Sequence, residues 1–278
     1  MKISIVTPNY NYGDFLIKAI KNVFAQTEAE DSPIVEHIVI DGGSTDNSVK
    51  YMQEWDNFIA TIPEERKARY SFSWVSEKDR GQTDAINKGL LRSTGEIMCW
   101  LNADEIYKEG TLKTISDYFT SHPKKDIVYG EIEFVDKDGK FIKKKYNHIF
   151  CGYILLYHGC YIPSAGTFWA RNAFEKVGPL DIHYKVTMDF EYWCRFYKLG
   201  CKFGFIPKTL ACFAWHENNV SEVFAERRYQ ERLRVQHLYA PKIPFGEKFW
   251  LLYVNIHKNF ARYFLRQFFK IIRRIFYK

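Results

Sequence analysis

The chain has 278 residues, 46% of them hydrophobic, which is enough for one large α/β domain with a substantial core and an appendage. Its formal charge of +7 is unevenly placed, because nine basic residues and one acidic residue lie between Lys242 and Lys278, leaving about −1 on everything before. A near-neutral body without a basic face speaks against a nucleic-acid-binding protein. We expect one domain at residues 1–220 and a basic appendage at residues 221–278.

The six cysteines form no CxxC pair, and most lie in apolar or aromatic surroundings, so we expect reduced and mostly buried thiols. The first residues have no signal-peptide pattern, and no stretch reaches the roughly 18 uninterrupted apolar residues of a membrane span. These features predict a cytoplasmic protein without a transmembrane helix.

The first hundred residues alternate between strand-like and helix-like patterns. Strands are predicted at residues 2–7, 35–40, 72–75 and 96–101, and helices at 14–26, 44–55 and 83–91, the second behind a Ser44/Thr45 cap. This alternation is typical of a doubly wound, mostly parallel sheet flanked by helices. Ligands in such sheets bind beyond the carboxyl ends of the strands. The loops at residues 8–10, 41, 77–80 and 102–105 are therefore predicted to converge on one crevice.

Shorter strand-like pieces follow from residue 126. They lie at residues 127–129, 132–135 and 141–144, with Asp138-Gly139 as a hairpin turn. Residues 189–197 form a helical, aromatic-rich segment, and two edge strands are predicted at 203–205 and 210–213.

A pair of acidic residues ends the fourth predicted strand, in the sequence Asn102-Ala103-Asp104-Glu105. Carboxylates at such a place favour a divalent cation, Mg²⁺ or Mn²⁺, completed by a substrate diphosphate. Asp104 is the first predicted metal ligand, and the alternative is a helix cap for the segment that follows. His216 is a second candidate ligand, or an exposed loop histidine.

Two further carboxylates have candidate roles. Asp41, within DGGSTD, is placed to accept a hydrogen bond from a nucleotide base or ribose, or else belongs to an ordinary strand-to-helix turn. Asp189 and Glu191 lie two residues apart on a helix, so only one of them faces the crevice, which argues against a paired-carboxylate hydrolase. Asp189 is the predicted general base, and Glu191 is predicted to contact Arg195.

Four segments together resemble the family-2 glycosyltransferases, which are inverting bacterial enzymes with a GT-A fold that build cell-surface glycans. These segments are SIVTPNYNYGDFLIKAIKNVFAQT, EHIVIDGGSTDNSV, SEKDRGQTDAINKGLLRSTGEIMCWLNADE and AGTFWARNAFEKVGPLDIHYKVTMDFEYWCR. They occur in the family's order, and the resemblance covers roughly residues 1–220.

The resemblance implies roles for individual residues. Pro8, Tyr10 and Asp41 would line the nucleotide base and ribose, and Asp79 would lie against the base or ribose. Asp84 and Asn87 would support the donor. Asp104 would bind the metal and the diphosphate, with Asn102 and Ala103 beside it at the donor. Asp189 stands in the place of the family's base, which usually follows a glutamate, whereas Met188 precedes it here. Asn102 stands where an aspartate is frequent, so the metal site has one negative charge fewer. Residues 158–168 are expected to line the acceptor pocket, where Tyr161, Phe168 and Trp169 would stack on a sugar.

The predicted function is transfer of a hexose or N-acetylhexosamine from a nucleotide-diphosphate donor to the hydroxyl of a glycan or lipid-linked acceptor. A UDP-sugar is the first candidate for the donor. A nucleotidyltransferase is the first alternative, but it normally carries a glycine-rich basic loop where this chain has TPNYNYGD. A non-catalytic nucleotide-sugar-binding scaffold at the membrane is the second, and the presence of both Asp104 and Asp189 speaks against it.

The basic appendage has an amphipathic pattern. Apolar residues recur every three or four positions from Phe249 to Ile275, with lysines and arginines on the opposite side. Such a helix is typical of peripheral binding to an anionic membrane surface, here the inner leaflet of the cytoplasmic membrane. The alternative is that this stripe packs on the catalytic domain or on another subunit.

Overall fold

The computed structural model describes residues 1–215 and 224–240, together with the isolated positions Ile256, Phe260, Phe264, Leu265, Gln267, Phe268 and Ile271. Within these positions, no helix is long and apolar enough to cross a bilayer. All six cysteines are unpaired, and four of them are buried, as expected from the sequence.

Nine strands and eight α-helices make up the described part of the chain. The strands are β1 Lys2–Asn9, β2 Ile34–Asp41, β3 Tyr70–Ser76, β4 Ile97–Trp100, β5 Glu105–Tyr107, β6 Ile127–Val135, β7 Phe141–Lys145, β8 Thr167–Ala170 and β9 Phe203–Ala214. The helices are α1 Gly13–Ala25, α2 Ser48–Thr61, α3 Glu64–Lys67, α4 Gln82–Arg92, α5 Thr111–Ser121, α6 Arg171–Val177, α7 Met188–Lys198 and α8 Ala225–Tyr239.

One mixed sheet contains all nine of these strands, in the order β3-β2-β1-β4-β8-β6-β9-β5, with β7 paired to β6. The pairs among β1, β2, β3 and β4 are parallel, as the alternating pattern predicts. Antiparallel pairs appear where β8 joins β4 and β6. The predicted α/β fold with helices flanking the sheet is confirmed, and its second half is mixed.

The prediction of two separate edge strands after residue 202 is wrong. Residues Phe203–Ala214 form the single strand β9, which lies inside the sheet between β6 and β5. The gap between the two predicted strands, residues 206–209, contains Pro207, which has no backbone N–H to donate to a neighbouring strand. The register between β6 and β9 shifts at this place, and Tyr129 pairs with Phe205 while Glu131 pairs with Thr209. The irregularity accommodates the proline without ending the strand.

Helix α2 begins at Ser48, four residues later than predicted. The proposed cap residues have other partners: the Ser44 hydroxyl donates to Asp41 at 2.5 Å, and the Thr45 amide donates to the side chain of Asn11 at 2.8 Å. Both residues therefore hold the loop between β2 and α2 against the loop after β1. Local side-chain bonds of this kind compete with helix formation.

Helix α8 is fastened to the domain by buried polar side chains. The Glu231 carboxylate accepts bonds from the backbone N–H groups of Lys185, Val186 and Thr187, at 3.0, 2.9 and 3.0 Å. On the next turn, Gln236 donates to the carbonyl of Leu156 at 2.9 Å. The segment that leads into α7 is thus held in place by a helix almost fifty residues further along the chain.

Candidate active site

A cavity of about 1290 Å³ opens at the carboxyl ends of β1 and β4. Seven of the predicted site residues line it, namely Pro8, Tyr10, Asp79, Asn102, Ala103, Asp104 and Asp189. They come from loops that are far apart in sequence, and they meet because parallel strands place their carboxyl ends at one edge of the sheet. The predicted convergence of the loops after β1, β3 and β4 is therefore confirmed.

Asp104 lies on the loop between β4 and β5, and its carboxylate lines the cavity. The next residue, Glu105, is buried at the start of β5 and accepts a bond from the Asn102 backbone N–H at 2.9 Å. Burial, and then the charge of Asp104, raise the pKa of Glu105 well above its usual range. Asp104 is not a helix cap, because the next helix, α5, starts at Thr111 with Gly110 at its cap position.

Asp189 lies in the first turn of α7, where its Oδ1 accepts a bond from the Phe190 backbone N–H at 2.7 Å. The Cys160 thiol donates to its Oδ2 at 3.5 Å. Burial raises the pKa of Asp189 despite these bonds and the nearby positive charge of Lys145. A carboxylate with a raised pKa at the wall of a cavity is suited to general-base catalysis.

Glu191 points away from the cavity, as the helical spacing predicts. Its carboxylate is bonded to the Arg195 guanidinium at 3.0 and 2.6 Å, and the Tyr239 hydroxyl donates to it at 2.6 Å. The Glu191–Arg195 contact predicted from the sequence is confirmed, and it joins α7 to the end of α8.

Three of the predicted binding residues lie behind the cavity wall and do not line it. Asp41 is fully buried, and its carboxylate accepts bonds from Asn9 at 2.6 Å, from the Ser44 amide at 2.9 Å and from Ser76 at 2.6 Å. This geometry is that of the ordinary strand-to-helix turn, the alternative that the sequence left open. The turn brings its two glycines, residues 42 and 43, to the cavity wall.

Asp84 and Asn87 support the wall from helix α4. The Asp84 carboxylate is bonded to the Arg80 guanidinium at 2.8 Å and to the Arg80 amide at 3.1 Å. Asn87 exchanges two hydrogen bonds of 2.8 Å with the Leu180 backbone. Both residues therefore position the loop after β3 and the segment before α7.

The aromatic residues that line the cavity differ from those predicted. Tyr161, Phe168 and Trp169 are buried in the core, at 2%, 0% and 0% exposure, because β8 runs through the middle of the sheet. The segment around them does reach the cavity through Cys160 and residues 162–165.

One group of aromatic residues in the cavity lining comes from β6, β9 and the residue after β9. Phe134, Phe213 and Trp215 lie together at the cavity, with ring centroids 5.6 Å apart between Phe134 and Phe213 and 5.9 Å between Phe134 and Trp215. Their position at the site depends on the pairing of β6 with β9, which places Phe134 opposite Phe213.

The protein residues fit a divalent cation that a substrate completes. Among the described residues, no group of three or more His, Cys, Asp or Glu side chains is arranged to hold a metal ion. His216, the second predicted ligand, lies outside the described residues. Asp104 is one of the carboxylates that line the cavity, and Mg²⁺ or Mn²⁺ takes one or two carboxylates together with waters and substrate phosphates. Asp104 is therefore the residue that would hold such a cation.

The sequence profile described as "Glycosyl transferase family 2" matches residues 4–185. An uncharacterized glycosyltransferase of Nostoc sp. is 30% identical over 192 residues, which are 65% of this chain and 54% of that protein. A PGL/p-HBAD biosynthesis glycosyltransferase of Mycobacterium bovis is 26% identical over 203 residues, which are 69% of this chain and 68% of that protein. The match to a Rickettsia conorii relative spans 32% of its length, so the chain spans a third to two thirds of these relatives.

Two solved structures share the fold. A crystal structure of S. aureus TarS with UDP-GlcNAc superposes with a TM-score of 0.67 and 15% sequence identity, covering 94% of this chain and 73% of that one. The mannosyltransferase PcManGT from Pyrobaculum calidifontis, in complex with GDP-Man and Mn²⁺, superposes with a TM-score of 0.61 and 16% identity, covering 92% of this chain and 69% of that one.

Proposed function

The chain belongs to glycosyltransferase family 2, and from this premise we propose that it transfers a sugar from a nucleotide-diphosphate donor to an acceptor hydroxyl with inversion of configuration. The observation that supports this proposal is that Asp104 and Asp189 line one cavity. Burial, and then the charges of Asp104 and Asp189, also raise the pKa of Glu105, the first residue of β5. The two carboxylates therefore act in one electrostatic environment.

Asp189 is the proposed general base. As the acceptor oxygen attacks the anomeric carbon, its proton passes to a carboxylate oxygen of Asp189, while the bond between that carbon and the diphosphate breaks. The nucleoside diphosphate leaves with the electron pair of that bond. Attack from the side opposite the leaving group inverts the anomeric centre. A bound divalent cation at Asp104 would supply charge stabilisation for the departing diphosphate.

The donor is proposed to be a UDP-hexose or UDP-N-acetylhexosamine. The TarS structure contains UDP-GlcNAc, and the end of β1 and the loop after it offer Pro8 and the exposed ring of Tyr10 as a surface for a base. The PcManGT structure contains GDP-Man, which makes GDP the first competing nucleotide. The acceptor is proposed to be a glycan or a lipid-linked glycan of bacterial polysaccharide or lipopolysaccharide biosynthesis.

A panel of nucleotide diphosphates, each with Mn²⁺ and with EDTA, tests the donor site by thermal shift. Ligand at one hundred times its Kd stabilises the folded state by about 2.7 kcal/mol, which corresponds to an increase in Tm of roughly 5 °C for a domain of this size. We expect UDP to give the largest increase in Tm, and EDTA to reduce it. Absence of an increase with every nucleotide diphosphate would contradict the proposed function.

We further propose that the protein binds peripherally to the inner face of the cytoplasmic membrane through its basic appendage. Five of the six described apolar residues of this region, Ile256, Phe260, Phe264, Phe268 and Ile271, are exposed, at 46–66%. Leu265 packs against the domain core, and the Phe260 ring lies 6.0 Å from that of Tyr153. Among the described positions, Leu265 and Phe260 thus contact the protein, while Ile256, Phe264, Phe268 and Ile271 stay accessible.

Flotation with vesicles tests the membrane proposal. We expect the full chain to float with vesicles containing phosphatidylglycerol and to stay in solution with phosphatidylcholine alone, because each cation near an anionic surface contributes about 1 kcal/mol. Replacing Phe264 and Phe268 by glutamate should abolish flotation. Equal flotation of this variant and the wild type would remove the membrane proposal.

A further inference from the structure

Positively charged residues from the second half of the chain line the same cavity as Asp104 and Asp189. Arg228 and Arg232 lie one turn apart on α8, and Lys185 lies in the segment that α8 holds. The acidic residues of the cavity come mainly from the loops after β3 and β4. The cavity therefore has an acidic part, at the carboxyl ends of the parallel strands, and a basic part beside α8.

Arg232 is a partly buried cation without a carboxylate partner in the described part of the chain. Its guanidinium donates to the His158 carbonyl oxygen and lies over the backbone of Gly159, where an added Cβ would be 3.0 Å from Cζ. Burial lowers the pKa of Arg232. By contrast, Arg195 and Arg227 are each paired with a carboxylate one turn away.

A desolvated arginine at the wall of a cavity favours an anionic ligand, because its guanidinium offers several N–H donors and its charge is otherwise uncompensated. Phosphate oxygens match that fork of donors particularly well. Arg232 lies over Gly159, and the thiol of the next residue, Cys160, contacts Asp189. The anion is therefore expected near the base that receives the acceptor's proton.

We propose that Arg228 and Arg232 bind a phosphate group of the acceptor, so that the enzyme glycosylates a hydroxyl on a phosphate-bearing molecule. This inference rests on the proposed function, in which the diphosphate of the donor belongs with Asp104. The phosphate of the acceptor, bound beside α8, orients the acceptor hydroxyl toward Asp189. Neutral glycans lack the group that these arginines recognise.

Binding of glycerol 3-phosphate, measured by ligand-observed NMR, tests the subsite in protein saturated with UDP and Mn²⁺, with glycerol as the neutral counterpart. We expect glycerol 3-phosphate to bind and glycerol not to bind. Arg228→Gln and Arg232→Gln should each weaken binding at least fivefold. Arg234→Gln is the matched control, because Arg234 lies on the same helix over the Tyr184 ring, 5.4 Å from its centroid, and does not line the cavity.

Several outcomes separate the two proposals. The subsite is overturned if both Arg228→Gln and Arg232→Gln bind glycerol 3-phosphate as the wild type does. It is also overturned if these variants lose affinity for UDP, because the arginines would then be assigned to the donor diphosphate. Circular dichroism establishes that each variant is folded, and Arg228, which is exposed, keeps the test valid if Arg232→Gln unfolds. If the wild type binds no nucleotide, this result counts against the proposed function. The titration with glycerol 3-phosphate is therefore repeated without nucleotide, so that the phosphate subsite is tested separately.

Discussion

Replacing Asp189 by asparagine is expected to lower kcat by a factor of 10²–10⁴, the usual contribution of a general base, or about 3–5 kcal/mol of transition-state stabilisation. Asparagine has almost the same shape, and its Oδ1 can still accept the bond from the Phe190 amide. It cannot take a proton from the acceptor hydroxyl. Sugar transfer should therefore be lost while the UDP-induced increase in Tm is kept.

The pH dependence of the wild type provides a second measurement on the same group. Asp189 must be ionised to act as a base, and burial raises its pKa. Activity is thus present above that pKa and is lost as the pH falls through it. We expect the acid limb of kcat/KM to lie above about 3.9, the ordinary aspartate value, and to disappear from the residual activity of Asp189→Asn.

Glu191→Gln is the control for Asp189→Asn. Glu191 is on the same helix, but it faces Arg195 and Tyr239 outside the cavity. This variant should lower the free energy of unfolding, because it leaves a partly buried arginine without its counter-charge. It should change kcat far less than Asp189→Asn. Retention of kcat within tenfold in Asp189→Asn would rule out its role as the base.

Replacing Asp104 by asparagine is expected to weaken UDP binding at least tenfold in the presence of Mn²⁺. The carboxylate is the negative charge that would hold the cation against the diphosphate, and an amide lacks that charge. The variant should also bind UDP equally in Mn²⁺ and in EDTA. Isothermal titration of UDP into both proteins under both conditions measures this difference.

Asp117→Asn provides the matched control for Asp104→Asn. Asp117 is an exposed aspartate on α5 that pairs with Lys113, outside the cavity. Its replacement removes the same charge and should leave the effect of Mn²⁺ on UDP binding intact. If UDP binding by Asp104→Asn still depended on Mn²⁺, the cation would be held elsewhere on the chain.

The first four strands and helices α1, α2 and α4 could be predicted from sequence to within a few residues, whereas the short helix α3 was not predicted. Helices α1 and α4 each bury one face, so their apolar residues recur with the helical period. Strands β1 and β2 are buried on both faces along most of their length and appear as short β-branched runs. The start of α2 was misplaced because Ser44 and Thr45, good cap residues in isolation, bond to partners more than thirty residues away or to Asp41.

The second half of the sheet could not be predicted in the same way. Strand β9 contains a proline, and only its pairing with both β6 and β5 reveals it as one internal strand. That pairing also decides which aromatic residues reach the cavity. Trp169 is buried in the core, while Phe134 and Trp215 line the site.

By itself, the sequence determined the family, the parallel half of the fold and the two carboxylates of the candidate site. Each of these depends on a local pattern: a strand that ends in acidic residues at Asp104, and a helical spacing that directs Asp189 and Glu191 to different sides. The tertiary structure alone decided that Asp41 supports a turn, that Glu231 holds the segment before α7, and that Arg232 lies beside residues 158–160, of which Cys160 contacts Asp189. The physical reason is that these roles depend on contacts between residues 30 or more positions apart, and hydrophobic periodicity contains no information about such contacts.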